Sequence, residues 1–365
     1  MKIAVDIRSA CGDKAGKGWY TFNLLQSLVK LDNHNSYIFY NKSPIVGFQS
    51  FSNVQQKSIN SKGLFWHRKV AKDILKEKVD LFFAPSSYII PTLIPKSVKC
   101  IITIHDLVAF LFPNKHNKKA VVIEKLFLKK AIKKSDHILT VSENTKKDVY
   151  HEFDIDKSKI STIYCAASKD FRPIKKEDLS SFIQKTKLPE DFFLAVGTIE
   201  PRKNYLNLLK AFHLILKEFL NKHLIIVGKK GWEYEEVFEY IEDNKLQKNV
   251  HILGYLSGKS LLALYNTAQA LIFPSFYEGF GIPPLEAMQS GCPVLASFSS
   301  SIPEVVGDSA ILFHPEKYEE IYRSMKKIIN NKDLKSKLSK EGLSQSKKFS
   351  WDKSAQKLLN IINSI

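Results

Sequence analysis

Along the chain, short runs of β-branched and aromatic residues alternate with longer segments in which apolar positions recur every three or four residues. Such strands, bounded by turn residues and separated by amphipathic helices, are the pattern of a parallel sheet covered by helices. The first half predicts strands at Ile3–Ile7, Tyr37–Tyr40, Leu81–Ala84, Cys100–Ile104, His137–Val141 and Ile160–Ile163. Helices are predicted between them at Gly18–Leu31, Phe65–Lys76, Lys118–Lys133 and Glu143–His151. From Ala167 to Ser180 a polar stretch with Pro173 and mixed charge interrupts the alternation, as an exposed linker does. The pattern then restarts, with strands at Phe192–Val196, His223–Val227, Val250–Leu253, Ala270–Phe273 and Pro293–Ala296 and helices at Tyr205–Leu220, Ser257–Asn266 and Pro283–Ser290. From Glu316 the tail reads as helical and lysine-rich. The fold class expected is α/β, with two doubly wound Rossmann-like domains over residues 1–172 and 173–350 and a C-terminal helix over 351–365. Open parallel sheets take ligands at the carboxyl ends of their strands. Two such domains facing a cleft should therefore carry their chemistry just after strands.

A length of 365 residues suits two domains at ~150 residues each. The composition is that of an ordinary globular protein, 44% hydrophobic and 25% charged, which excludes disordered, collagenous and disulfide-scaffold classes. Charge changes the picture more. Residues 1–172 hold 29 basic and 15 acidic side chains, or +14, and residues 173–365 hold 26 and 22, or +4. A basic first half favours anionic partners, whether phosphorylated ligands, nucleic acid or an anionic membrane. Cys11, Cys100, Cys165 and Cys292 are scattered without a C-x-x-C pair, which reads as reduced thiols in a cytosolic protein. Asp6 arrives too early for a secretory signal, and no apolar run reaches the ~18 residues of a spanning helix, so membrane contact must be peripheral.

Directly after the strand at Phe192–Val196 comes Gly197-Thr198-Ile199-Glu200-Pro201-Arg202-Lys203-Asn204, which opens a helix. A turn glycine, two cations and a helix N-terminus together make a diphosphate cradle. Taken alone, the same octet also fits an ordinary strand–turn–helix with solvated cations. After the strand at Ala270–Phe273, Glu278-Gly279-Phe280-Gly281 leads into Pro283-Pro284 and Glu286. Prolines fit a first helical turn, and ionised carboxylates grip sugar and ribose hydroxyls. A glycosidase would need its carboxylates about 5 to 9 Å apart across one bond, which two positions on one wall do not offer. Asp154-Ile155-Asp156 mimics a metal-binding D-x-D, but its place between a helix and a strand suits a surface turn. The segment Lys115–Lys134, lysine-rich with Glu124 its sole acid, reads either as a helix packed on the sheet or as one that touches anionic lipid.

With GTIEPRKN and EGFGIPPLE both present, the chain resembles the retaining GT-B glycosyltransferases of glycosyltransferase family 4. The likeness runs through Thr103-Ile104-His105-Asp106-Leu107, the stretch Ser135–Glu143 and Phe349-Ser350-Trp351, and so covers essentially the whole chain. The resemblance implies a GT-B fold, with the C-terminal helix returning to the N-terminal, acceptor-side domain and the second domain holding the donor. It implies that Arg202 and Lys203 take the donor diphosphate beside Gly197, that Glu278 and the Gly279-Phe280-Gly281 backbone grip the donor sugar, and that Glu286 holds the ribose. His105 matches the histidine near the reacting carbon. Gly16 and Gly18 match the N-terminal glycine loop, although Ala15 stands where relatives often carry another glycine.

The function implied is transfer of a hexose from a nucleotide sugar to a glycan or polyprenyl-diphosphate-linked acceptor in bacterial O-antigen or capsule assembly. The donor expected is GDP-mannose, because these motifs resemble mannosyl- and rhamnosyltransferases; a UDP-sugar enzyme of the same fold is the alternative. No cofactor and no metal are expected, since cations already match the diphosphate site. The site would be cytoplasmic, at the anionic inner face of the cell membrane. The basic charge also raises a nucleic-acid-binding protein, but no helix-turn-helix, zinc finger or RNP signature supports one, and nucleic acid is not an expected partner.

Overall fold

A computed structural model describes the chain apart from Asp13, Ala15, His116, residues 176–178, residues 180–187, Ser257 and the side chains of Lys115 and Ala120. Ala15 of the glycine loop, the far end of the expected linker and the first residue of the helix expected at Ser257 therefore lie outside the described residues. Two compact units result: Met1–Cys165 with Ser350–Ile365, and Ala166–Phe349.

In the first unit, strands β1 (Lys2–Asp6), β2 (Ser36–Asn41), β3 (Val54–Ser58), β4 (Leu81–Ala84), β5 (Lys99–Ile104), β6 (His137–Thr140) and β7 (Ile160–Thr162) form one parallel sheet in the order β3-β2-β1-β4-β5-β6-β7. The register sets Ala4 between Ile38 of β2 and Phe82 of β4. Helices α1 (Gly16–Leu31), α2 (Gly63–Lys76), α3 (Ile89–Leu93), α4 (Val108–Leu111), α5 (Lys118–Lys134) and α6 (Glu143–Glu152) link the strands. Central strands such as β4, Leu-Phe-Phe-Ala, are buried throughout, as a sheet covered on both faces requires. The core under α2, α3 and α5 joins Trp66, Ile74, Phe82, Ile102 and Leu128.

The second unit repeats the plan. Strands β8 (Phe192–Val196), β9 (His223–Val227), β10 (Val250–Ile252), β11 (Leu271–Phe273), β12 (Val294–Ser297) and β13 (Ala310–Phe313) lie in the parallel order β10-β9-β8-β11-β12-β13. Helices α7 (Tyr205–Glu218), α8 (Glu235–Asp243), α9 (Gly258–Thr267), α10 (Ile282–Gln289), α11 (Ile302–Val306), α12 (Tyr318–Asn330) and α13 (Lys332–Ser346) complete it. The final helix, α14 (Trp351–Ser364), belongs to the first unit and packs on α1. Ser354 Oγ on α14 donates to the carbonyl of Tyr164, which ties the end of the chain to the end of the sheet region.

The units divide at Cys165, earlier than the expected boundary at residue 172. Side-chain packing explains the shift, because the polar stretch docks on the second unit. Phe171 meets the Tyr265 ring edge-on at 5.7 Å, and Asn266 holds the carbonyl of Arg172 and the N–H of Ile174. Among the described residues no helix is long and apolar enough to cross a membrane.

Each sheet reverses direction once in its strand order, between β1 and β4 in the first unit and between β8 and β11 in the second. Loops diverge at such a switch point and leave a crevice at the carboxyl ends of the two strands. The sequence motifs fall on these two places.

Candidate active site

At the switch point of the second unit, the loop after β8 brings cations and the loop after β11 brings a carboxylate. Pro201–Lys203 form one 3-10 turn, and Asn204 adopts a left-handed conformation with φ of 59° to start α7. The Asn204 side-chain amide donates to the carbonyls of Pro274 (3.0 Å) and Pro315 (2.6 Å), which fixes the turn against the β11 loop. Arg202 Nη1 then lies 2.7 Å from the Tyr277 carbonyl and 2.9 Å from Glu278 Oε2. Lys203 Nζ donates to Glu278 Oε1 at 2.6 Å, and Arg202 Nη2 to Glu200 Oε1 at 2.7 Å.

Two cations thus face two buried carboxylates. Burial alone would raise the Glu278 carboxyl, but Arg202 and Lys203 outweigh it and hold Glu278 down at about 2. Glu200 goes the other way, raised by burial against the pull of Arg202. Arg202, Lys203 and Glu278, assigned separate contacts by the sequence, form one ion cluster. Glu200 was quoted in its motif without a role; its signal was a carboxylate two residues before an arginine.

The backbone from Glu278 to Phe280 is held from below by the loop after β12. Glu278 N donates to Ser300 Oγ at 2.8 Å, and Ser301 Oγ donates to the carbonyls of Glu278 (2.9 Å) and Phe280 (2.7 Å). Phe280 turns its ring inward, edge-on to Phe349 at 5.5 Å, so only its backbone is offered to a ligand. Gly281 caps α10 at φ of 109°, where a Cβ would stand 2.7 Å from Ile302 Cδ1. Gly279 lies between them in the same loop, and Gly197 ends β8, its carbonyl accepting from the Tyr205 hydroxyl at 2.8 Å. Glu286 is the fifth residue of α10 and accepts from the Tyr265 hydroxyl at 3.0 Å. Its apolar surroundings push its carboxyl up to about 7.

In the first unit, His105 follows β5 and is buried. Its Nε2 lies 2.7 Å from the Pro85 carbonyl, an acceptor only, so Nε2 carries the proton. Burial first, and the Lys17 charge second, bring its pKa down to about 4, which leaves a neutral imidazole at pH 7. Tyr20 packs edge-on behind the ring at 4.7 Å, and Trp351 of α14 packs on Tyr20 at 5.9 Å. Trp351 of the Phe349-Ser350-Trp351 motif thus backs His105 through one intervening ring, whereas Phe349 belongs to the second unit and packs on Phe280.

Gly16, Lys17 and Gly18 form the first turn of α1. A Cβ at Gly18 would stand 2.3 Å from the Ser9 carbonyl oxygen, whereas one at Gly16 meets nothing within 4 Å among the described residues. At the switch point itself stands Arg8, which no motif singled out; it forms a bidentate pair with Asp6 and stacks over Trp66 at 4.1 Å. Asp154 and Asp156 are exposed, and Asp156 Oδ1 accepts from Ser158 N at 2.9 Å as the cap of a short turn. Among the described residues no group of three or more His, Cys, Asp or Glu side chains is placed to hold a metal.

Two parallel-sheet Rossmann-like units, with cations, carboxylates and a glycine loop at their switch points, define a GT-B glycosyltransferase. Family profiles match in the same sense: Glycosyltransferase Family 4 over residues 15–171 and Glycosyl transferases group 1 over residues 176–345. O-antigen chain mannosyltransferase B of Escherichia coli is 31% identical over 288 residues, which cover 78% of this chain and 75% of that protein. Serotype-specific mannosyltransferase WbdA of the same organism is 31% identical over 266 residues, 70% of this chain but only 32% of WbdA. Among solved structures, sucrose-phosphate synthase of Thermosynechococcus elongatus shares the fold, with a TM-score of 0.81 at 17% identity over 100% of this chain and 98% of the other. The chain belongs to the family 4 glycosyltransferases.

Proposed function

We propose that this enzyme transfers mannose from GDP-mannose to a growing glycan of a bacterial surface polysaccharide, an O-antigen chain carried on a polyprenyl diphosphate. The observation that carries the reading is the Arg202–Lys203–Glu278 cluster at the β8/β11 switch point. Mannosyltransferases that cover most of this chain support the sugar. A departing nucleoside diphosphate develops negative charge, and two buried cations fixed before the reaction stabilise it without reorganising solvent. As the diphosphate draws Arg202 and Lys203 to itself, Glu278 is released to accept hydroxyls of the donor sugar. The Gly279–Gly281 backbone lies beside it, and Glu286 takes the ribose. His105, neutral and backed by Tyr20, stands on the acceptor side in the first unit. No metal takes part in this scheme, because the two cations supply the charge.

The surface of α5 supports a membrane partner. Val122, Ile123 and Leu126 are exposed there among Lys118, Lys119, Lys125 and Lys129. Apolar side chains ringed by lysines suit the anionic headgroups of the inner leaflet.

A thermal-shift titration with GDP, UDP, GDP-mannose and UDP-glucose, with and without EDTA, tests the donor, since a ligand of the folded state raises its Tm. A shift with the guanine pair that survives EDTA is the expected result. A shift confined to the uracil pair overturns GDP-mannose, and one abolished by EDTA overturns the metal-free scheme.

A further inference from the structure

In the first unit, acids that serve the fold are saturated. Asp32 accepts from the N–H groups of His34 and Asn35, from Asn35 Nδ2 and from the Tyr37 hydroxyl, and Asp6 is clamped by Arg8. Glu124 differs. It is the sole acid of a lysine-rich helix, yet it is only 8% exposed. Its Oε1 lies 3.7 Å from Lys17 Nζ, and its Oε2 is buried with no hydrogen-bond partner among the described residues. A buried carboxylate oxygen left in that state costs free energy, so something besides packing keeps it there.

Its neighbours are those of the candidate site. Lys17 belongs to the glycine turn of α1, and its charge also reaches His105. Asp106, next to His105, adds a second negative charge felt by Glu124. Tyr88, hydrogen-bonded to the His105 backbone, lies within the fields of both acids. With Nε2 committed to Pro85, His105 keeps the Nδ1 lone pair as an acceptor. One ammonium donor is therefore gathered with a carboxylate oxygen and an imidazole nitrogen that both accept. Two acids beside one lysine repel a phosphate, while two acceptors and a donor match adjacent hydroxyls of a pyranose ring, each of which can give and receive a hydrogen bond.

We propose that Glu124 and Lys17 form, beside His105, the subsite that holds vicinal hydroxyls of the incoming sugar acceptor. The proposal rests on the reading of the enzyme as a transferase to glycans and adds the residues that would receive the glycan. Glu124 Oε2 accepts one hydroxyl, and Lys17 donates to the other; the Lys17 charge also opposes the burial that raises the Glu124 carboxyl.

Saturation-transfer NMR with α-mannobiose as the probe, run beside a GDP-mannose thermal shift, tests it. The wild type should show transfer to the disaccharide, and Glu124→Gln should weaken that binding about tenfold, the loss expected for a hydrogen bond to a charged group. The GDP-mannose shift should stay as in the wild type, a split that a merely structural role does not produce. If Glu124→Gln does not fold, Lys17→Gln removes the donor of the same subsite and should weaken mannobiose in the same way. Unaltered mannobiose binding in the folded variant overturns the subsite, as does a wild type that binds GDP-mannose but not mannobiose. A wild type that binds mannobiose but not GDP-mannose overturns the donor assignment and leaves the subsite standing.

Discussion

Replacing Glu278 by glutamine takes the paired carboxylate from buried Lys203 and leaves Arg202 its contacts with Glu200 and the Tyr277 carbonyl. Removing one partner of a buried pair costs more than the pair contributes, so Glu278→Gln should lower stability by about 3 kcal/mol in a urea titration. A loss under about 1 kcal/mol would show that the cluster is solvated in solution. Glu286 makes a prediction with the opposite sign. Its folded pKa, about 7, lies above the ordinary glutamate value of 4.5, so the folded state binds its proton more tightly than the unfolded state. Its contribution is therefore fullest below pH 4.5 and is lost as pH rises through about 7. Urea titrations from pH 4.5 to 8 should show wild-type stability falling relative to Glu286→Gln. Parallel curves would mean that Glu286 titrates as an ordinary surface carboxyl. At this scale the sequence was legible as residue types after strands, but not as contacts. Arg202 and Lys203 stand 75 or more positions before Glu278, and only the fold makes them touch.

Among the elements, buried strands were the most readable, because β4 and β8 need an unbroken apolar run and show one. Strand β3, Val-Gln-Gln-Lys-Ser, was missed. Among the described residues it lies at the sheet edge, paired with β2, and is partly exposed, so nothing demands apolar residues there. Strand β13 and helices α8 and α11 were missed as well. The glycine turn of α1 was legible only as a motif, and the structure separates its two glycines. Gly18→Ala should cost about 2 kcal/mol, since its Cβ would meet backbone oxygen that cannot swing aside. Gly16→Ala should be neutral or slightly stabilising, because alanine is the better helix former and the space is open. Chemical denaturation of the two variants decides it; equal losses would mean that the close approach to Ser9 is not what sets the cost.

For the whole molecule, the doubly wound plan of both units could be read from alternation alone, while the early division at Cys165 could not, since it depends on Phe171 and Asn266 docking across sequence. The basic first half gives a prediction at the same scale. Anionic liposomes should float the protein at low salt and release it at high salt, because exposed charges are screened within about 8 Å at physiological ionic strength. Flotation that ignores lipid charge would remove the membrane from the proposed function.

The first unit is written in two pieces, Met1–Cys165 and Ser350–Ile365, with the whole second unit between them. Translation delivers residues in order and domains tend to fold as they emerge. The second unit can therefore close while the first still lacks α14 and the Trp351 ring behind Tyr20. Completion of the first unit waits for α14, which follows the entire second unit in the sequence, so a chain made only through Phe349 holds a finished second unit and an unfinished first.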